Sequence, residues 1–286
     1  MSSRRSPIFP SRPGRLPGRA RISEEKIMTE DLHWKTGITS VEPNKVRLRG
    51  YPIDELMGKI SFSQAIYLVL KGELPSPEVG RLLDAVFVSS VDHGAGPPSV
   101  LTARTVASTG AELHAAIAAG VLAISRLHGG AIEEGMKLFQ AISQRAEEMK
   151  ITVEDAAKAV LSEMKGRGER ASGFGHRVHT QDPRTEKLFA MAEGLKLAGR
   201  YVRIARIVES IFKEGGKPLP INVDGAIAAL LCDLGIPAEI GNAFFIISRV
   251  PGLVAHIQEE RTRMRPMRKI HPSDHEYDGP GEREIP

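Results

Sequence analysis

The chain has 286 residues, 41% of them hydrophobic, enough to bury a large core as one domain or as a domain with a smaller companion. It contains no run of eighteen apolar residues and no unbroken apolar stretch near its N-terminus, so no membrane partner or export is expected and the expected compartment is the cytoplasm. The formal charge of +4 hints at nucleic acid, but six arginines (4, 5, 12, 15, 19 and 21) precede the first acid, Glu24; +4 less those six leaves −2, so a nucleic-acid partner is not expected.

The arginines belong to a Pro, Ser and Gly-rich tail, residues 1–30, that cannot form a core. A disordered extension and a targeting peptide are the two readings. Prolines at 7, 10, 13 and 17 forbid the amphipathic helix that a mitochondrial transit peptide uses. After Trp34, strand-like alternation is confined to Lys45–Tyr51. Helical periods then predict helices over 61–71, 76–91, 99–109, 111–126, 131–149, 152–165, 185–213, 225–234, 238–249 and 250–261. The expected class is therefore all-α. Ser76-Pro77 places proline in a first turn, and Thr152 is followed three residues later by Asp155, both helix-start signals. The run His114–Ile124, crowded with Ala and Gly, suits close helix packing or a dimer interface. Residues 272–286 are again polar and Pro/Gly-rich, a flexible end. The single cysteine, Cys232, excludes an intrachain disulfide and a cysteine-based zinc site, and its apolar helical context reads as buried filler; no metal is expected.

Three of the nine histidines stand beside glycine in loop-like sequence: His93-Gly94, His128-Gly129-Gly130, and Gly173-Phe174-Gly175-His176. Glycine at such places lets a ligand meet the backbone. Taken singly, each histidine reads more simply as a core or surface residue. Asp224, in Asn222-Val223-Asp224-Gly225, has two readings that the residues leave open: an N-cap for the helix at Ala226, or a desolvated general base at a helix start.

The segment running from Gly173 through His176-Arg177-Val178 to Asp182-Pro183-Arg184 closely resembles the citrate synthase family, and the resemblance extends from about Thr36 to Arg268. It is carried also by Arg49-Gly50-Tyr51-Pro52-Ile53-Asp54, by LTARTVAST after His93-Gly94, by Leu127-His128-Gly129-Gly130, by NVDG, and by ISRVPGLVAH followed by RPMR, all in the family's order. The resemblance implies an all-α, citrate synthase-like fold and an obligate homodimer. It assigns residues 31–130 and 234–271 to a large helical domain and 131–233 to a smaller inserted one. It implies a coenzyme A thioester as substrate, with no permanently bound cofactor, and acetyl-CoA or citryl-CoA and oxaloacetate as small-molecule partners.

Position by position, the resemblance gives His128 the thioester oxygen and Asp224 the proton of the adjacent carbon, so that together they make or discharge an enol. It gives His176 the carbonyl of the 2-oxo acid, with His93 beside it. Arg184, Arg249 and Arg265 match the positions that hold the substrate carboxylates, the last reaching across the dimer. Gly173, Phe174 and Gly175 match the loop that receives coenzyme A. Synthases commonly carry Glu after the Asp-His pair and a longer NVDxxSG motif. Here His93-Gly94 and NVDGAI resemble instead the citryl-CoA lyase module, including the C-terminal part of ATP citrate lyase. The expected activity is therefore cleavage of citryl-CoA. The alternatives are citrate or 2-methylcitrate synthesis and, from another class, an idle CoA-binding paralogue.

Overall fold

A computed structural model describes residues 34–175 and 182–285. The chain divides into a short N-terminal unit, Met1–Gly37, and a larger one, Ile38–Pro286, which carries every element below. The larger unit opens on an antiparallel meander of β1 (Thr39–Glu42), β2 (Lys45–Leu48) and β3 (Tyr51–Pro52). Its second turn, Arg49-Gly50, has φ of 50° and 88°, the doubly positive turn whose twist matches a two-residue hairpin.

Helices follow: α1 (Ile53–Leu56), α2 (Phe62–Lys71), α3 (Pro77–Ser90), α4 (Pro98–Ala107), α5 (Leu113–Leu122), α6 (Ala131–Met149), α7 (Val153–Gly166), α8 (Pro183–Gly194), α9 (Arg200–Glu214), α10 (Val223–Asp233) and α11 (Gly241–Arg263). The fold is all-α apart from the meander. Ser76 caps α3 with Pro77 in its first turn, and Thr152 caps α7 through the Asp155 amide at 3.1 Å.

Two predicted helices differ from what is observed, each for a tertiary reason. The stretch predicted as one helix over 185–213 is α8 and α9, parted at Lys196, whose φ is +59°. The second helix starts there because the Asp233 carboxylate, at the far end of α10, accepts the amides of Gly199, Tyr201 and Val202 at 2.8 to 3.1 Å. A side chain more than thirty residues away in sequence thus serves as the N-cap. A Cβ on Gly199 would meet that carboxylate at 2.6 Å, so the position requires glycine. Conversely, the break predicted at Val250 does not occur; α11 runs through Pro251. Proline normally costs an interior helix about 3 kcal/mol. Here Phe244, Phe245, Arg249, Leu253 and Ile257 on both sides of it are buried, and Pro251 itself faces outward.

A large apolar core gathers side chains of α3, α6, α8, α9 and α10, and α10 is buried from Val223 to Cys232 except at Asp224. Burial, with Asp233 adding to it, pushes the Cys232 thiol up to about 12, which makes it inert filler. A second core joins Val100, Ala103 and Ala107 of α4 to Ala116 of α5 and Leu253 and Ile257 of α11. Gly120 lets α5 close on α4, since a Cβ there would lie 3.0 Å from the Ser99 carbonyl oxygen.

Below this core sits an ionic knot. Glu260 of α11, 2% exposed, accepts Arg104 Nε at 2.7 Å and Arg268 Nε at 3.0 Å, with a second Arg268 nitrogen on Oε2. The Met267 and Arg268 amides also bond the Ser108 carbonyl and hydroxyl, so the segment after α11 is fastened to the end of α4. Burial raises the Glu260 pKa, but the two guanidinium bonds outweigh it and hold the carboxyl below its ordinary 4.5. A carboxylate with a depressed folded-state pKa contributes stability above its unfolded value and loses it as pH falls through the folded one. Glu260→Gln is expected to cost about 3 kcal/mol in urea unfolding at pH 7, since it leaves two partly buried cations unpaired. That deficit against the wild type should shrink in the same measurement repeated below pH 4.5.

Candidate active site

Several separate stretches of chain bring polar groups to one cavity of about 830 Å³. His93, His128, Gly175, Arg184, Asp224 and Arg249 all line it. The first stretch is the turn Ser125–His128, closed by reciprocal backbone bonds of 2.8 and 2.9 Å. Gly129, at φ +82°, and Gly130 follow it, and a Cβ on either would strike neighbours at 2.6 to 2.7 Å. Gly129 therefore lets the histidine turn seat against Phe245 and Ile124, and Gly130 lets the chain pass the Arg126 backbone.

The His128 ring lies edge-on to Phe245, with centroids 5.8 Å apart, and its Nε2 sits 2.8 Å from Ser99 Oγ. Burial lowers its pKa first, and the charge of Arg249 lowers it further, so the imidazole is neutral at pH 7. If the serine hydroxyl donates to Nε2, the ring's proton resides on Nδ1, a fixed neutral donor. Ser99→Ala is expected to lower turnover roughly 10- to 100-fold with little change in KM, because it frees the tautomer rather than a binding contact. Steady-state kinetics check this.

The second stretch is a pair of loops locked face to face. The Gly175 amide donates to the Pro220 carbonyl at 2.7 Å, and the Asn222 amide donates to the Gly173 carbonyl at 3.0 Å. A Cβ on Gly173 would fall 2.6 Å from the Gly225 Cα, so these glycines serve the contact between NVDG and GFG. Phe174 turns into the core, packing edge-on against Phe139 and Phe212 at 6.0 and 5.4 Å. Gly175 reaches the cavity; Gly173 and Phe174 are not among its lining residues.

The same lock answers the question about Asp224. Asn222 is the N-cap of α10, accepting the Gly225 amide at 3.1 Å. Asp224 sits in the first turn with its carboxylate at the cavity, and among the described residues none hydrogen-bonds it. Burial raises its pKa, opposed by the charges of Arg184 and Arg249 and aided by Asp182.

The arginines come from the third and fourth stretches. Asp182 caps α8 and binds Arg184 through two bonds of 3.0 and 2.8 Å, which fixes the guanidinium plane at the cavity edge. Arg249 of α11 is 3% exposed, donates Nε to the Ser90 carbonyl at 3.1 Å and lies 4.7 Å over the Phe245 ring. Among the described residues its Nη1 is buried without a hydrogen-bond partner. A buried guanidinium donor left open on a cavity calls for an anionic ligand.

Arg265 does not join the cavity within this chain; it is exposed beyond α11, on the segment fastened by Glu260. His176 lies outside the described residues. Among the described residues no three His, Cys, Asp or Glu side chains converge as metal ligands. Sequence reasoning missed Ser99, Ser90 and the capping role of Asn222. Only Asn222 carried a local signal, as an Asn directly before the first buried turn of a helix.

The fold and cavity define a largely helical protein that sets acid–base groups and guanidiniums around one cavity. This chain belongs to the citrate synthase family, whose C-terminal domain model matches residues 75–272. "Putative citrate synthase 2" of Mycobacterium bovis is 34% identical over 216 residues, covering 73% of this chain and 54% of that protein. The chain thus spans about half the length of the curated relatives it matches. The solved citryl-CoA lyase of Hydrogenobacter thermophilus aligns at a TM-score of 0.80 and 43% identity, covering 89% of this chain and 98% of that one. An ATP citrate lyase from Methanosaeta concilii, in complex with (3S)-citryl-CoA, aligns at a TM-score of 0.73 and 21% identity, over 96% of this chain and 47% of its own, a likeness of fold.

Proposed function

We propose that this chain cleaves citryl-CoA to acetyl-CoA and oxaloacetate. The observation that carries the reading is the cavity itself, where a neutral His128 and a desolvated Asp224 stand with the open guanidinium of Arg249. The 43% identity with the solved citryl-CoA lyase, against 34% with "Putative citrate synthase 2", supports cleavage.

In the proposed reaction His176 takes the proton of the substrate's tertiary hydroxyl. The carbon–carbon bond breaks, the hydroxyl carbon becomes the carbonyl of oxaloacetate, and the electron pair passes into the thioester as an enolate. His128 donates a hydrogen bond to the enolate oxygen, and Asp224 gives its proton to the terminal carbon to yield acetyl-CoA. Asp224 must then enter cleavage protonated, and burial moves its pKa in that direction. Arg184 and Arg249 take carboxylates of the oxaloacetate half, with His93 beside them. Gly175, with Gly173 and Phe174 behind it, borders the CoA side. A homodimer that brings Arg265 to the partner's cavity is part of the proposal, supported by the exposed Leu101, Leu113 and Leu122 on α4 and α5. So is a smaller lobe, 131–233, closing on the rest to keep water from the enol.

Purified protein incubated with citryl-CoA, and separately with acetyl-CoA and oxaloacetate, tests this when oxaloacetate and free thiol are followed together. Oxaloacetate formed from citryl-CoA without free thiol supports the lyase. Citrate with stoichiometric free CoA from the second mixture makes the protein a synthase, and no turnover in either leaves a CoA-binding paralogue.

A further inference from the structure

His93 lines the cavity on a loop with no regular structure, Val91–Pro97, and what holds that loop is a face of α11. Arg249, Gly252 and His256 are spaced three and four residues apart and so share one side of the helix. Each meets the loop in turn. Arg249 Nε donates to the Ser90 carbonyl at 3.1 Å. Gly252 lies so close that a Cβ would come 2.4 Å from the Val91 carbonyl oxygen. His256 Nε2 reaches Asp92 Oδ1 at 3.0 Å.

Asp92 passes this anchorage on to His93. Its Oδ2 accepts the Gly94 amide at 2.8 Å, and the His93 amide also bonds the carboxylate. Burial raises the Asp92 pKa, but these amides and the His256 ring outweigh it, leaving an ionised, acceptor-only group. His256 must therefore be the donor in its contact with Asp92, which puts the ring proton on Nε2. Among the described residues its Nδ1 is buried without a hydrogen-bond partner, 3.8 Å from Glu259 Oε2. Without His256 the Asp92 side chain, 39% exposed, can turn to water, and the turn through Gly94, at φ +76°, then loses its acceptor.

We propose that His256 and Asp92 form a positioning pair that fixes His93 against the oxaloacetate half of the substrate. The pair touches no reacting atom and acts through the turn at His93-Gly94. The assignment of the cavity to citryl-CoA is the proposed function above, on which the kinetic part of this inference rests.

Three variants test it: His256→Leu, which keeps bulk and loses the donor; His256→Gln, whose amide nitrogen takes the place of Nε2; and Asp92→Asn. In His256→Leu and Asp92→Asn, KM for citryl-CoA should rise about 10- to 100-fold, the scale of a lost charge-assisted hydrogen bond, while kcat falls less than about fivefold. Amide hydrogen exchange over residues 91–96 should speed up in both, and His256→Gln should restore KM and exchange to within about threefold of wild type. A leucine variant with wild-type exchange and KM, or a defect that glutamine fails to restore, overturns the inference. If the wild type turns over no citryl-CoA, the functional reading fails on its own, and the exchange comparison still decides the positioning pair. Should the leucine variant not fold, Asp92→Asn against wild type carries the same comparison.

Discussion

Asp224→Asn is expected to lower citryl-CoA cleavage at least about 1,000-fold while leaving the protein as stable as the wild type at pH 7, or more so. Loss of a positioned acid–base group removes about 10²- to 10⁴-fold of rate, and asparagine keeps the shape of the side chain without a proton to give. The stability half follows from burial. The carboxyl is desolvated and, among the described residues, accepts no hydrogen bond, so its folded-state pKa lies above the ordinary 3.8. An acid with a raised folded pKa binds its proton more tightly in the native state. The resulting stability is present below the unfolded pKa and lost as pH rises through the folded one. At pH 7 the carboxyl has therefore lost that stability, and replacing it gains on the order of 1 kcal/mol, as often happens when a strained functional group is removed. Arg184 and Arg249 oppose this by attracting the carboxylate, but burial is the larger influence. Urea unfolding at pH 7 and near pH 4, beside single-turnover kinetics, checks both halves. A variant clearly less stable than wild type at pH 7 would falsify the desolvation argument, and retained turnover would remove Asp224 from the mechanism.

Local signals were legible wherever the cause was local. The caps at Ser76 and Thr152 agree with the reading of the chain because capping groups lie within three residues of what they cap, and the bounds of α6, Ala131–Met149, agree because its apolar period is itself local. The separation of α8 from α9 was not legible, since its cap is Asp233 on another helix, and neither was the passage of α11 through Pro251, which burial on both sides sustains. In the site, glycine-flanked histidines pointed to His93 and His128, which line the cavity, and the glycines have a packing role that sequence does not display: Gly129 and Gly173 allow contact with Phe245 and Gly225. The Ser99–His128 bond spans 29 residues and has no sequence periodicity to betray it. Asp224 illustrates the limit most clearly: cap and acid look alike in sequence, and only the Asn222 bond to Gly225 separates them.

Arg249→Leu should reduce kcat/KM for citryl-CoA by about 100-fold or more without unfolding the protein. A guanidinium bonded to a carboxylate in a desolvated site contributes about 1.5 to 3 kcal/mol per charged hydrogen bond, and the open Nη1 with its neighbours can make two. Arg249→Lys should fail nearly as badly, because an ammonium can neither stack on Phe245 at 4.7 Å nor hold the Ser90 carbonyl while reaching the ligand. The fold should tolerate leucine because the lost Ser90 bond is offset by removing a buried cation that burial and Arg184 both disfavour. Calorimetric binding of oxaloacetate, expected to weaken in parallel with kcat/KM, separates a binding loss from a misplaced His128. The same substitution carries an electrostatic signature. Arg249 is one of the two causes that depress the His128 pKa, so its removal lets that pKa rise toward the ordinary 6.5. The acid limb of the residual pH–rate profile should then move toward neutrality, as protonated imidazole accumulates at higher pH than in the wild type. An unmoved acid limb with a normal fold would mean that His128 does not titrate in the step that limits cleavage.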